Sequence, residues 1–163
     1  MEVVGDPSAH TPRVVKHLQV EPSNLAATVL RLVGISMVDH PYVGCFSSLE
    51  PTDAGLDVVR EDLPNSWSTW IAEAPSWDEL RGRTLHVLDA LGALYAEGWS
   101  HGGVQPANVR WRAEGPSVVV DGGVCPPRGT SRWAALGADL WDVGALIWGA
   151  CTGEPPELSL IHI

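Results

Sequence analysis

Between Ser76 and Gly98 the chain carries one uninterrupted helical signal, and whatever it folds into must be built around that helix. Ser76-Trp-Asp-Glu79 is a capping box, in which the serine and glutamate satisfy each other's helix-start amides. Behind it Leu80, Thr84, Val87, Leu88, Leu91, Leu94 and Tyr95 recur at helical spacing and keep one face apolar. Gly98 supplies the stop. This helix delivers the chain into Trp99-Ser-His-Gly-Gly-Val-Gln-Pro-Ala-Asn-Val-Arg-Trp111. The stretch holds a rigid Gln105-Pro106 turn and places His101 and Asn108 seven residues apart. Val118 to Val120 then reads as a strand ending on Asp121, with Gly122 and Gly123 behind it. A loop bearing His and Asn beside a strand that delivers Asp is a layout for holding a metal ion and phosphate oxygens.

The rest of the chain reads in order. Arg13-Val-Val-Lys-His-Leu18 is a short strand. Glu21-Pro22-Ser23-Asn24 starts a helix whose stripe is Leu25, Val29, Leu32 and Val33. Tyr42 to Phe46 and Leu56 to Val59 are two further strand candidates, separated by a turn-rich Ser47 to Gly55. Val109 to Trp111 and Ser117 to Val120 form a small hairpin around Glu114-Gly115. A Pro/Gly-rich stretch without regular structure runs to Gly137, and Ala138 opens a last helix that ends at Thr152-Gly153.

Charge and cysteines narrow the partners. The 163 residues carry a formal net charge of −10, which disfavours nucleic acid and anionic membranes. No run of apolar residues reaches the length of a bilayer span, so no membrane insertion is expected. Cys45, Cys125 and Cys151 are odd in number and widely spaced, as in a reduced, cytoplasmic protein. The eight tryptophans are scattered and are expected in packing rather than in a ligand box. Lys16 is the only lysine, against nine arginines.

These motifs together resemble the protein-kinase fold. His101 to Asn108 is similar to the catalytic loop His-Arg-Asp-Leu-Lys-Pro-x-Asn with its middle rewritten, and Asp121-Gly122-Gly123 to a broken Asp-Phe-Gly. Ala138-Asp-Leu-Trp-Asp-Val-Gly144 through Thr152-Gly-Glu-Pro-Pro156 resembles the central large-lobe helix, Asp-x-Trp-Ser-x-Gly to Thr-Gly-x-Pro-Pro. The resemblance spans Arg13 to Pro156 and implies an α+β fold. It divides the chain into an N-terminal arm (1–12), a partial small lobe of short antiparallel strands plus one helix (13–62), and a partial, mainly helical large lobe (63–157). Residues 158–163 read as a non-native tail, which fits a truncated reading frame.

Carried over residue by residue, the resemblance implies ATP and Mg2+ as ligands, weakly held. Lys16 takes the place of the phosphate-binding strand lysine, and Asn108 and Asp121 those of the metal ligands. Arg60 to Pro64 resembles the hinge that offers backbone groups to adenine, so Glu61 and Leu63 are the expected adenine contacts. Arg60 falls at the apolar gatekeeper position, where it either blocks the adenine pocket in part or reaches out to water. Much of the machinery is missing. Gly103 stands where the substrate-orienting Asp belongs, Gln105 and Gly102 replace the loop's Lys and Arg, and no Gly-rich lid precedes Lys16. Arg31 stands where the helix Glu that pairs with the lysine belongs, and is expected to repel Lys16.

Losing a general base costs about 10²–10⁴ in rate. The resemblance therefore implies a catalytically impaired, pseudokinase-type domain that acts on a protein partner as scaffold or regulator, with no catalytic residue. The alternatives are a non-catalytic nucleotide sensor and a weak or unconventional phosphotransferase. His101-Gly102 resembles the His-Gly-Asp loop of small-molecule kinases, though Gly103 breaks that pattern too. One structural expectation also follows from the resemblance. Asp139 should accept hydrogen bonds from the amides around His101 and Gly102, and its loss should destabilise the fold, whereas loss of Asp142 should matter little.

Overall fold

The computed structural model describes residues 13–113, 115–122 and 130–154. The N-terminal arm, the 158–163 tail, Gly123 and the Pro155-Pro156 pair lie outside them. The architecture is α+β, with helices packed around two small antiparallel sheets.

The first sheet has the order β1-β3-β2, formed by β1 (Arg13–Gln19), β2 (Phe46–Thr52) and β3 (Gly55–Glu61). Along β1 exposed and half-buried residues alternate, so Lys16 shares the inner face with Val14 and Leu18. Central β3 turns Leu56, Val58 and Arg60 inward. Helix α1 (Pro22–Ser36) lies against this sheet, closing a cluster of Val20, Leu32, Leu56 and Val58.

Strand β2 departs from expectation. It begins at Phe46 and runs through the segment read as turn-rich, leaving only Asp53–Ala54 as the reversal. Edge position explains this: Pro51 lacks an amide, and an edge strand tolerates it on its unpaired side. Tyr42 to Cys45 instead runs beside the second sheet, where Val43 bridges Val119 and the Gly44 amide donates to the Val119 carbonyl at 2.8 Å.

The second sheet joins β4 (Asn65–Ser66), β5 (Val109–Trp111) and β6 (Val118–Val119). It sits against the one-turn helix α2 (Trp67–Trp70), a 3-10 turn at Ile71–Glu73, and helix α3 (Trp77–Ala96). None of the elements between Pro64 and Ser76 was legible in advance. They exist to bury aromatics: Trp67, Trp70 and Trp111 meet edge to face at 5.3 and 5.8 Å, and the Arg83 guanidinium lies 3.8 Å over Trp111. Trp67, Trp70 and Trp111 thus serve packing, whereas Trp77, Trp133, Trp141 and Trp148 are exposed, contrary to the expectation of packing.

Helix α3 has the expected capping box, with the Ser76 amide donating to Glu79 Oε2 at 2.8 Å. Its inner face carries Leu80, Thr84, Val87, Ala90, Leu91 and Leu94, while Leu88 is exposed. Helix α4 (Arg132–Thr152) begins six residues before Ala138, so Arg132 to Gly137 is helical rather than irregular. Ser131 caps it, and Gly137, the expected end of the irregular stretch, is tolerated inside the helix. Among the described residues α4 alone is long and apolar enough, by length and composition, to cross a bilayer. This differs from the expectation because Asp139 and Asp142 interrupt the apolar run without lowering its mean hydropathy far. Only Asp139, Val143 and Leu146 of α4 are buried. Trp133 (79% exposed), Leu140, Trp141 and Trp148 (54%) face outward.

Gly34 sets how closely α1 approaches the loop after α3. A Cβ at this position would lie inside the Trp99 indole ring. Gly34→Ala should therefore lower stability by about 1–3 kcal/mol despite alanine's better helix propensity. Chemical denaturation of Gly34→Ala, Trp99→Leu and the double variant checks this: the double should be less destabilised than the sum of the singles.

Candidate functional site

The loop between α3 and β5 is held through its backbone from two sides. His101 and Gly102 donate their amides to Asp139 Oδ2 and Oδ1, both at 2.7 Å, and Asp139 is fully buried. Arg31, also buried, donates to the carbonyls of Ser100 (2.6 Å) and His101 (2.7 Å). The expected repulsion between Arg31 and Lys16 is thus replaced by a structural role, with the guanidinium bound to loop carbonyls. Gly102 adopts φ +72°, and a Cβ there would meet the Arg31 guanidinium at 2.5 Å, so both conformation and contact require glycine.

Asp139 is as expected in its partners but not in its position, which is mid-helix rather than at a helix start. Burial raises its pKa, and the two amide bonds oppose that rise. Asp142 is half-buried, and burial raises its pKa while the nearby Val104 amide opposes that rise.

His101 is fully buried, with Nε2 3.2 Å from the Val120 carbonyl. A carbonyl only accepts, so the neutral ring carries its proton on Nε2 and leaves Nδ1 as a buried acceptor without a partner. Burial, aided by the charge of Arg31, lowers its pKa to about 4. The ring is a packing element rather than a base.

Three of the sequence-derived site residues come together. Lys16 Nζ donates to Asn108 Oδ1 at 3.1 Å and lies 3.5 Å from Asp121 Oδ2. Asn108 closes a 3-10 turn (Pro106–Asn108), and its amide donates to the Gly103 carbonyl at 2.8 Å and the Asp121 carbonyl at 3.4 Å. Asn108 therefore braces the loop as well as facing the cluster. Asp121 holds φ +58°, a left-handed conformation that Asp adopts more readily than most residues.

Of the two alternatives for Arg60, reaching out to water is excluded. The side chain is turned inward and lines the same cavity as Glu61 and Leu63. Its Nε and Nη2 grip Asp121 Oδ1 and Oδ2 at 2.8 and 3.0 Å, and the two side chains are only 7% and 4% exposed. Its Nη1 donates to the Glu61 carbonyl at 2.9 Å. The alternation Leu56, Val58, Arg60 carried the signal, because an inward guanidinium on a central strand must find a carboxylate.

Glu61 and Leu63 are not brought to the cluster. The Glu61 carboxylate is paired with Arg112 Nε at 2.7 Å and with its Nη2, and that hydrogen bonding lowers its pKa. The Leu63 carbonyl accepts from Arg110 Nε at 2.8 Å. Both residues line a cavity of about 270 Å³ with Pro41, Val43 and Val118, and Lys16, Asn108 and Asp121 are not among its walls.

Mg2+ needs oxygen ligands free to turn toward it. Here both Asp121 carboxylate oxygens are engaged by Arg60, and Asn108 Oδ1 by Lys16. No group of three or more His, Cys, Asp or Glu among the described residues offers an alternative metal site. As arranged, the donor set does not fit the metal. The chain matches no protein-family model and no curated protein.

Removing Asp139 strips two buried amides of their acceptor. Asp139→Ala should cost about 3 kcal/mol or more, and Asp142→Ala, which removes a half-buried carboxylate, about 1 kcal/mol or less. Urea unfolding of both variants gives the comparison. A pH effect follows from His101. The unfolded histidine binds protons below pH 6.5 while the folded one resists until about 4, so stability is intact above 6.5 and falls as pH drops between the two. The full loss is about 3 kcal/mol. Asp139 and Asp142, with raised pKa values, act in the opposite sense. The slope between pH 6.5 and 4 should therefore flatten or reverse in His101→Gln relative to the parent, read by unfolding midpoints across that range.

Proposed function

We propose that this chain is a degenerate, kinase-like domain that works as a protein-binding scaffold or regulatory module and does not transfer phosphoryl groups. The observation that carries this reading is the loop itself. Gly103 offers no carboxylate to orient an acceptor hydroxyl, and its carbonyl is committed to the Asn108 amide. Phosphoryl transfer depends on positioning and charge neutralisation, so a loop without that carboxylate lacks the group the chemistry uses.

The hinge-like segment adds support. The carbonyls of Glu61 and Leu63, two backbone acceptors that adenine would use, already accept from Arg60 and Arg110. Interaction with protein is supported by α4, whose exposed Trp133, Leu140, Trp141 and Trp148 have no charged residue among them. An apolar face of that kind marks a surface that another macromolecule covers. Asp139 bonds to the loop, Asp142 lies near the Val104 amide, and a bilayer would isolate carboxylates on this helix, so we read the face as protein-facing rather than lipid-crossing. The free, exposed Cys45 and Cys151 suit a reducing, cytoplasmic setting.

Radiolabelled ATP with Mg2+ or Mn2+ and peptide or small-molecule acceptors supplies the test. No turnover above the protein-free rate is expected. Turnover that disappears in Asp121→Ala would overturn this reading in favour of an unconventional phosphotransferase.

A further inference from the structure

The strongest unexplained feature of the site is a buried guanidinium where the kinase resemblance calls for a metal ion. Arg60 meets Asp121 as a fork on a fork, the geometry in which arginine binds a carboxylate most tightly. Its third nitrogen donates to the Glu61 carbonyl. Lys16, about a third exposed, completes the cluster against Asn108 Oδ1 and Asp121 Oδ2. Two cations therefore surround one carboxylate, a local charge of +1 by count of Lys16, Arg60 and Asp121. A divalent cation entering here would have to displace the guanidinium from its one carboxylate partner among the described residues and then face both positive side chains at close range.

We propose that Arg60 is the resident cation of this site, standing on Asp121 in place of a divalent metal, so that the parent protein takes no Mg2+ or Mn2+ there and a hard-cation site lies latent beneath the guanidinium. The proposal rests on reading Asn108 and Asp121 as the ligand pair of a degenerate kinase-like site. It replaces the expectation that any nucleotide binding depends on metal: whatever phosphate compound reaches Lys16 does so without a divalent ion. Electrostatically the exchange is sound. Asp121 needs a neutralising partner in a buried position, and a covalently tethered guanidinium supplies one at no cost in metal recruitment.

The experiment is a Mn2+ titration followed by the paramagnetic resonance signal of the free ion, on the parent protein, Arg60→Met, Arg60→Lys and Arg60→Met/Asp121→Asn. Methionine keeps the length and apolar stem of Arg60 and removes its charge. Arg60→Met should bind Mn2+ roughly tenfold or more tightly than the parent, because the Asp121 carboxylate loses the guanidinium that occupies both its oxygens. Arg60→Lys, which keeps a cation, should behave like the parent, and the double variant should lose the gained binding. A folded Arg60→Met that binds no more tightly than the parent would overturn the proposal. So would Mn2+ binding by the parent that is lost in Asp121→Asn. If Arg60→Met does not fold, the parent's unfolding midpoint in millimolar Mn2+ decides: no change supports the proposal, and a rise that Asp121→Asn abolishes overturns it. Metal binding by the parent without ATP turnover would refute this inference alone, whereas turnover would refute the proposed function.

Discussion

The structure depends most on the way two buried, oppositely charged side chains hold one backbone. Arg31 from α1 takes the carbonyls of Ser100 and His101, and Asp139 from α4 takes the amides of His101 and Gly102. Three elements distant in sequence are thereby joined at a single loop. A loop containing adjacent glycines is entropically costly to order, and charge-assisted bonds to its peptide groups are the means of ordering it. The charges remain buried because each has peptide dipoles to answer it, and because they oppose each other across the loop.

Beyond the loop, the same logic governs the cluster around Asp121. One carboxylate, two cations and an amide fill the space between β1, β3, the Asn108 turn and the end of β6. Nothing in this arrangement calls for an external cation. Arg31 and Arg60 show a common pattern, since each stands where the resembled family has a different residue type and each is built into the fold by hydrogen bonds. Under the proposed kinase-like reading, these departures form a network of internal contacts as well as a set of losses. That reading suits a domain retained for its shape and surface, with the uncharged outer face of α4 as the part of that surface best suited to protein contact.

Much of this was legible in the residues. The capping box at Ser76 and the apolar stripe behind it are local signals, and α3 follows them closely because a helix is specified by residues within one or two turns of each other. The α+β class, strand β1 and the β5–β6 hairpin are likewise local readings. Where local signals competed, the reading failed. Ser47 to Gly55 is rich in turn formers yet forms most of edge strand β2, because pairing with β3 outweighs propensity. The stretch up to Gly137 reads as irregular, yet its last six residues lie inside α4, whose start is set by the Ser131 cap.

What the sequence determined by itself, then, was the set of helices and strands that local spacing and caps specify, together with the convergence of Lys16, Asn108 and Asp121 that the motif resemblance implied. Tertiary structure alone decided how the charges are spent. Arg60 and Asp121 are 61 residues apart, and Arg31 and His101 are 70 apart. Neither partner is written near the other. An inward-facing arginine announces that it needs an acceptor, because burying an unpaired charge is prohibitive. Which acceptor it finds depends on the packing of α1, β3 and the α3–β5 loop, a long-range outcome that no local pattern encodes.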